Sequence, residues 1–200
     1  MTRQLMLVPL ALIACAGLAM AGQPTAKPAK PADTTTKAPA KPEATLKVGD
    51  KAPAIAVDKW VKGEPVKGFE KGKVYVVEFW ATWCGPCIAM IPHMTEMQKK
   101  YKDVTFMSIA ASERMPKDGA DKRLENVEKF VKDQGDKMGY RVGYDSKRAM
   151  GTSYMTAAGQ NGIPCSFLVD GEGKIAWIGH PSKLEAELEK IAAPKKVASK

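Results

Sequence analysis

Histidine is nearly absent from this 200-residue chain, and cysteine is scarce: there are 2 His and 4 Cys. A zinc site needs four ligands, usually as two spaced pairs. Beyond the Cys84/Cys87 pair only Cys165, His93 and His180 are left in the body of the chain, with no paired spacing among them. No histidine follows Cys87, so the C-x-x-C-H haem attachment signature is missing. Beyond the first 22 residues no stretch reaches the ~18 consecutive apolar residues of a membrane helix. The net charge is +9, yet part of that excess lies in Lys/Pro/Ala segments at the two ends. No basic helix or Arg cluster marks a nucleic-acid surface. There is also no internal repeat.

What remains is one domain with appendages. The first 21 residues combine Arg3, an apolar run from Leu5 to Leu18 and a small-x-small site at Ala19-Met20-Ala21, which is the pattern of a secretory leader. Leu12-Ile13-Ala14-Cys15 also has the form of a bacterial lipobox, which would make Cys15 a lipid anchor. The apolar run continuing past Cys15 favours cleavage after Ala21. Either route takes the protein out of the cytoplasm, to the periplasm or another extracytoplasmic space. Residues 22–46 are rich in Pro, Ala, Lys and Thr and contain no aromatic residue, so they read as a tether unable to build a core. Residues 193–200 form a basic tail.

Residues 47–192 have globular composition. "KGKVYVVEFWA" (71–81) reads as a buried strand. "IAMIPHMTEMQKKY" reads as a helix with Ile88, Ile91, Met94 and Met97 on its core face and a kink expected at Pro92. A strand over 104–112, a helix over 121–134 and a short strand over 140–145 follow. A short helix over 148–155 and a hairpin turning at Asp170-Gly171-Glu172-Gly173 come next. The last element is a helix over 182–191, with Ser182 and Glu185 as a capping box and Leu184, Leu188 and Ile191 facing inward. Alternating strands and helices imply a parallel sheet covered by helices, with the late hairpin adding antiparallel strands.

The chemistry concentrates in "VVEFWATWCGPC" (76–87). Cys84 falls where a strand ends and a helix begins, so the free N–H groups and dipole of the helix start favour its thiolate. Cys84 is thus the expected nucleophile, exposed at the turn. Cys87, one helical turn on and more buried, would resolve the mixed disulfide. Gly85 would permit tight approach and Pro86 suits the start of a helix. With Cys15 removed, three cysteines remain, so the set is a pair plus a spare thiol and not a stapled framework. Cys165 reads either as a small buried hydrophobe or as a third thiol near the pair. The pattern P-x-x-x-T-x-x-C of a thiol peroxidase is not met, because Val77 and Ala81 occupy the Pro and Thr positions. A copper-binding module without turnover is the alternative to an enzyme.

Three motifs, "VGDKAPAI" (48–55), "EFWATWCGPC" (78–87) and "GIPCSFLVDGEGKIAWIG" (162–179), resemble the exported thiol–disulfide oxidoreductases of the TlpA/ResA type. The resemblance implies an α/β thioredoxin fold: a central mixed sheet flanked by helices, with an N-terminal extension. It implies that Glu78 is the buried base for Cys87, although the thioredoxin lysine on the next strand is missing here. It also implies that Pro164 follows a cis bond beside the dithiol, and that the backbone of Ile163 pairs with substrate, with Trp83 as the exposed contact. No cofactor or metal is called for. The partners implied are disulfide-containing exported proteins and a membrane thiol donor, and no nucleic acid.

Overall fold

The computed structural model describes residues 44–117 and 119–192. The leader, the lipobox at Cys15, most of the tether and the basic tail lie outside the described residues. Six strands form one sheet in the order β1-β4-β3-β2-β5-β6. These are β1 (Lys59–Lys62), β2 (Val74–Trp80), β3 (Val104–Ala110), β4 (Arg141–Tyr144), β5 (Cys165–Val169) and β6 (Ile175–Gly179). The helices are α1 (Gly85–Lys100), α2 (Arg123–Gln134) and α3 (Leu184–Ile191). β2, β3 and β4 run parallel, while β1, β5 and β6 pair antiparallel to their neighbours. The sheet is therefore mixed, as the alternation of elements and the late hairpin imply.

Side chains on a strand alternate between faces, and here both faces of β2 are buried. Val76 and Trp80 join Ile91, Met94 and Met97 of α1, Val127 and Val131 of α2, and Leu184 and Leu188 of α3 in one core. Tyr75, Val77 and Phe79 face the other core with Met107, Ile109, Tyr154 and Phe167. Phe79, Tyr154 and Phe167 pack mutually, with ring centroids 5.2–5.6 Å apart. α1 continues through the exposed Pro92 as one helix.

Several local expectations need correction. β1 is an edge strand that the periodicity does not announce, because "KWVK" is short and lysine-flanked, which is typical of a protected edge. The capping box does not form. Pro181–Lys183 makes a 3-10 turn that puts the start of α3 at Leu184, and the cap falls to His180, whose Nδ1 accepts from the Ser182 N–H at 3.2 Å. Glu185 pairs instead with Lys100 of α1 at 2.6 Å. Ile191, the last residue of α3, is 42% exposed and does not face the core. The short helix expected over 148–155 is wound wider as a π-helical segment, Gly151–Thr156. Its Thr152 carbonyl accepts from Ala157 and its Met155 carbonyl from Gln160, each five residues on. The tether also ends earlier than composition suggests: the N–H groups of Thr45 and Leu46 both donate to the Ala157 carbonyl, and Leu46 is buried in the second core.

Candidate active site

β2 delivers the chain to the dithiol. After Trp80 the turn is closed by the Cys84 N–H donating to the Ala81 carbonyl at 3.1 Å. Cys84 is extended, with φ −86° and ψ 96°, and it is the N-cap of α1. The Cys87 backbone N–H donates to Cys84 Sγ at 3.2 Å. The first N–H groups of a helix have no carbonyl partner within it, and they carry the positive end of the dipole. A sulfur in this position lies against both. Here the two cysteines are joined, with S–S 2.03 Å.

The expected exposure of Cys84 needs correction. Cys84 retains only 4% of its surface and Cys87 2%. The reason is the chain on the far side of the site: the Ile163 carbonyl oxygen lies 3.7 Å from Cys84 Sγ. The Ile163–Pro164 bond is cis, and Pro164 is buried while Ile163 is half-buried and touches both cores. Gly85 and Pro86 are exposed. A Cβ added at Gly85 would meet no atom within 4 Å, so the glycine relieves no internal contact and leaves its space open to an incoming chain.

The two tryptophans near the dithiol divide between core and surface. Trp80 is 1% exposed and lies in the core, whereas Trp83 is 43% exposed next to Cys84. The Trp83 indole N–H donates to the Ser112 carbonyl at 2.9 Å, and the Arg114 guanidinium lies 3.7 Å over its ring. Glu113 accepts from the Thr82 N–H at 2.6 Å and from the Thr82 hydroxyl at 2.8 Å. The loop after β3 is thereby fastened to the turn that carries the dithiol.

Glu78 is 3% exposed, in the middle of the sheet. Its register partners are Ser108 on β3 and Ser166 on β5. The Ser108 hydroxyl donates to Glu78 Oε2, and the Ser166 hydroxyl has no hydrogen-bond partner among the described residues. Burial pushes the Glu78 carboxyl from an ordinary 4.5 up to about 7, against the opposing pull of the Ser108 hydroxyl. The next strand, β3, contains no lysine and meets Glu78 with a neutral serine. Glu78 lies between Val76 and Trp80 on the strand face that packs in the same core as Cys87. Burial, and then the Glu78 charge, also drive the Tyr140 phenol upward.

Cys165 is free and buried, and it lies opposite Phe79 in register. It belongs to the core on the other sheet face from the one that contains Cys84 and Cys87. Burial, with a smaller contribution from Glu78, pushes its thiol up to about 12. The structure therefore removes it from the dithiol, and the small-hydrophobe reading describes it.

Sequence reasoning missed Ser108, Glu113 and Arg114. A serine in the middle of the apolar run "FMSIAA" (106–111) was a usable signal for Ser108. Glu113 and Arg114 sit in a polar loop where nothing local distinguishes them.

Residues 47–192 match the Redoxin family model. The chain is 34% identical over 149 residues to Protein FixW of Rhizobium leguminosarum, covering 74% of this chain and 66% of that protein. It is 32% identical over 151 residues to the thiol-disulfide oxidoreductase ResA of Bacillus cereus, covering 73% of this chain and 79% of ResA. Among solved structures, a thiol:disulfide interchange protein of the thioredoxin family from Chlorobium tepidum superimposes with a TM-score of 0.56 at 28% identity, over 72% of this chain and 96% of that one.

Proposed function

The chain belongs to the redoxin family of thioredoxin-fold thiol–disulfide oxidoreductases, and on that premise we propose that it is exported and reduces disulfides in other exported proteins, apocytochromes among them. The observation that carries this reading is the placement of Cys84 Sγ. The sulfur caps α1, accepts from the Cys87 N–H at 3.2 Å, and faces the Ile163 carbonyl across the site.

In the reduced protein the Cys84 thiolate attacks one sulfur of a substrate disulfide. A Cys84–substrate bond forms, the substrate S–S bond breaks, and the departing substrate sulfur takes a proton from solvent. Cys87 then gives its proton to Glu78 and attacks Cys84 Sγ. The mixed disulfide breaks, and the second substrate sulfur leaves as a thiolate. The substrate has gained two electrons, and the protein holds the Cys84–Cys87 disulfide. A membrane thiol donor returns the pair to its reduced form. Ile163, with the open backbone at Gly85 and Pro86, offers a place for an extended substrate segment to lie as an added strand. Trp83 provides the exposed apolar contact. The Gly-Pro dipeptide is the one found in thioredoxin, whose low potential favours reduction of substrates. The leader supports export, and Cys15 would add a lipid anchor if the lipobox is used.

The test is reduction of insulin by the protein under excess dithiothreitol, together with two variants. The wild type should accelerate reduction, and Cys84→Ser should abolish it. Cys87→Ser should trap mixed disulfides, since attack proceeds and resolution does not. Trapping by Cys84→Ser instead would exchange the two roles. Copper retention with no insulin reduction would replace the enzyme reading by a binding module.

A further inference from the structure

The loop after β3 reaches the dithiol turn through three hydrogen bonds: two from Thr82 to Glu113 and one from Trp83 to the Ser112 carbonyl. These bonds fix residues 112–113 in place, and the next residue is Arg114. Its guanidinium lies 3.7 Å over the Trp83 ring, directly beside the N-terminal cysteine in sequence. Stacking on an aromatic face orients the planar fork while leaving its N–H donors free at the edge.

Arg114 is exposed, and no carboxylate among the described residues lies within ion-pair distance of it. Two acids near it in sequence are engaged elsewhere. Glu113 is turned toward Thr82, and Asp121 is held by Arg123 at 2.8 Å. Met115, the residue after Arg114, is 53% exposed, and Trp83 is 43% exposed. The turn that carries the dithiol thus bears an exposed tryptophan, and on it an oriented cation with no carboxylate partner among the described residues. Shielding of the indole alone would be served by any apolar residue. The fork geometry matches a carboxylate, which guanidinium binds through paired hydrogen bonds.

We propose that Arg114, held on Trp83, recognises a carboxylate that flanks the reactive disulfide of the protein partner, so that acidic and apolar segments are the preferred substrates. This inference rests on the reductase reading above.

Two disulfide-linked peptides, identical except for Glu or Gln next to the cysteine, test it by steady-state reduction at low salt. The wild type should favour the Glu peptide by about two- to fivefold in kcat/KM, the range of a single exposed ion pair. The preference should fade near 1 M salt, where charges are screened beyond about 3 Å. R114K, which loses the stacked fork, should weaken the preference, and R114Q should erase it. R114E should invert it toward a third peptide carrying Lys. Equal rates for the Glu and Gln peptides with the wild type, or a persisting Glu preference in R114E, would overturn this inference alone. Failure to reduce any peptide would overturn the reductase reading and this inference with it.

Discussion

Replacing Glu78 by glutamine should make the oxidised protein more stable, and increasingly so as pH rises. The carboxyl sits 3% exposed between Ser108 and Ser166, with no cation against it among the described residues. Its pKa rises on folding from 4.5 to about 7. A carboxyl raised in this way holds its proton more tightly in the folded state, so stability falls as pH climbs from 4.5 and the loss is complete above about 7. At about 1.4 kcal/mol per pH unit, the full penalty is about 3 kcal/mol. Glutamine keeps the acceptor for the Ser108 hydroxyl and sets an N–H₂ group on the face it shares with the unpartnered Ser166 hydroxyl. In the oxidised protein Cys84 and Cys87 do not titrate, and the Tyr140 and Cys165 groups that feel Glu78 are both pushed above the window. Urea unfolding of both proteins at half-unit intervals from pH 4.5 to 8.5 measures the gap. It should be near zero at the acid end and approach about 3 kcal/mol in favour of Glu78→Gln above pH 7. A gap that is flat with pH, or one that favours the wild type as pH rises, would refute the buried-base placement. The same variant should slow resolution of the mixed disulfide by about 10²–10⁴-fold, the usual contribution of a general base. Alkylation of Cys84 should be left nearly untouched.

Alkylation of the reduced protein against pH should show Cys84 titrating well below the ~8.5 of a free thiol, because of its cap position; a midpoint at or above 8.5 would remove it as nucleophile. Removing residues 1–43 should leave unfolding free energy unchanged, whereas Leu46→Ala in the full chain should lower it by about 2–3 kcal/mol through loss of a buried side chain. Urea denaturation of both checks this, and an indifferent Leu46→Ala would show that the residue docks without contributing.

Much of the molecule could be read from the chain because its signals are local. The apolar run at 74–80, the 3.6-residue spacing of Ile91, Met94 and Met97, and the Asp170–Gly173 turn each encode their own element. The dithiol at a strand-to-helix junction was equally local. What stayed hidden depends on partners distant in sequence. β1 is defined by its pairing with β4 more than 80 residues on, at Lys59 and Tyr144. Cys84 is buried by a segment around Ile163 that no pattern near position 84 announces. Ser182 had the right spacing for a capping box, but a proline at 181 and a nearby histidine offered a tighter turn, and Lys100 claimed Glu185. The polarity of Glu78 was visible, but its environment was not, because Ser108 and Ser166 come from two other strands. Leu46 looked like part of a tether because composition cannot see the Ala157 carbonyl that receives its N–H.

The reductase assignment turns most directly on the reduction potential of the Cys84/Cys87 pair. Equilibration with a graded series of reduced and oxidised dithiothreitol, read by mass shift after alkylation, gives that value. The expected potential lies within a few tens of millivolts of the ~−270 mV of thioredoxin, which shares the Gly-Pro dipeptide. A value at or above about −180 mV, in the range of disulfide isomerases and oxidases, would contradict it.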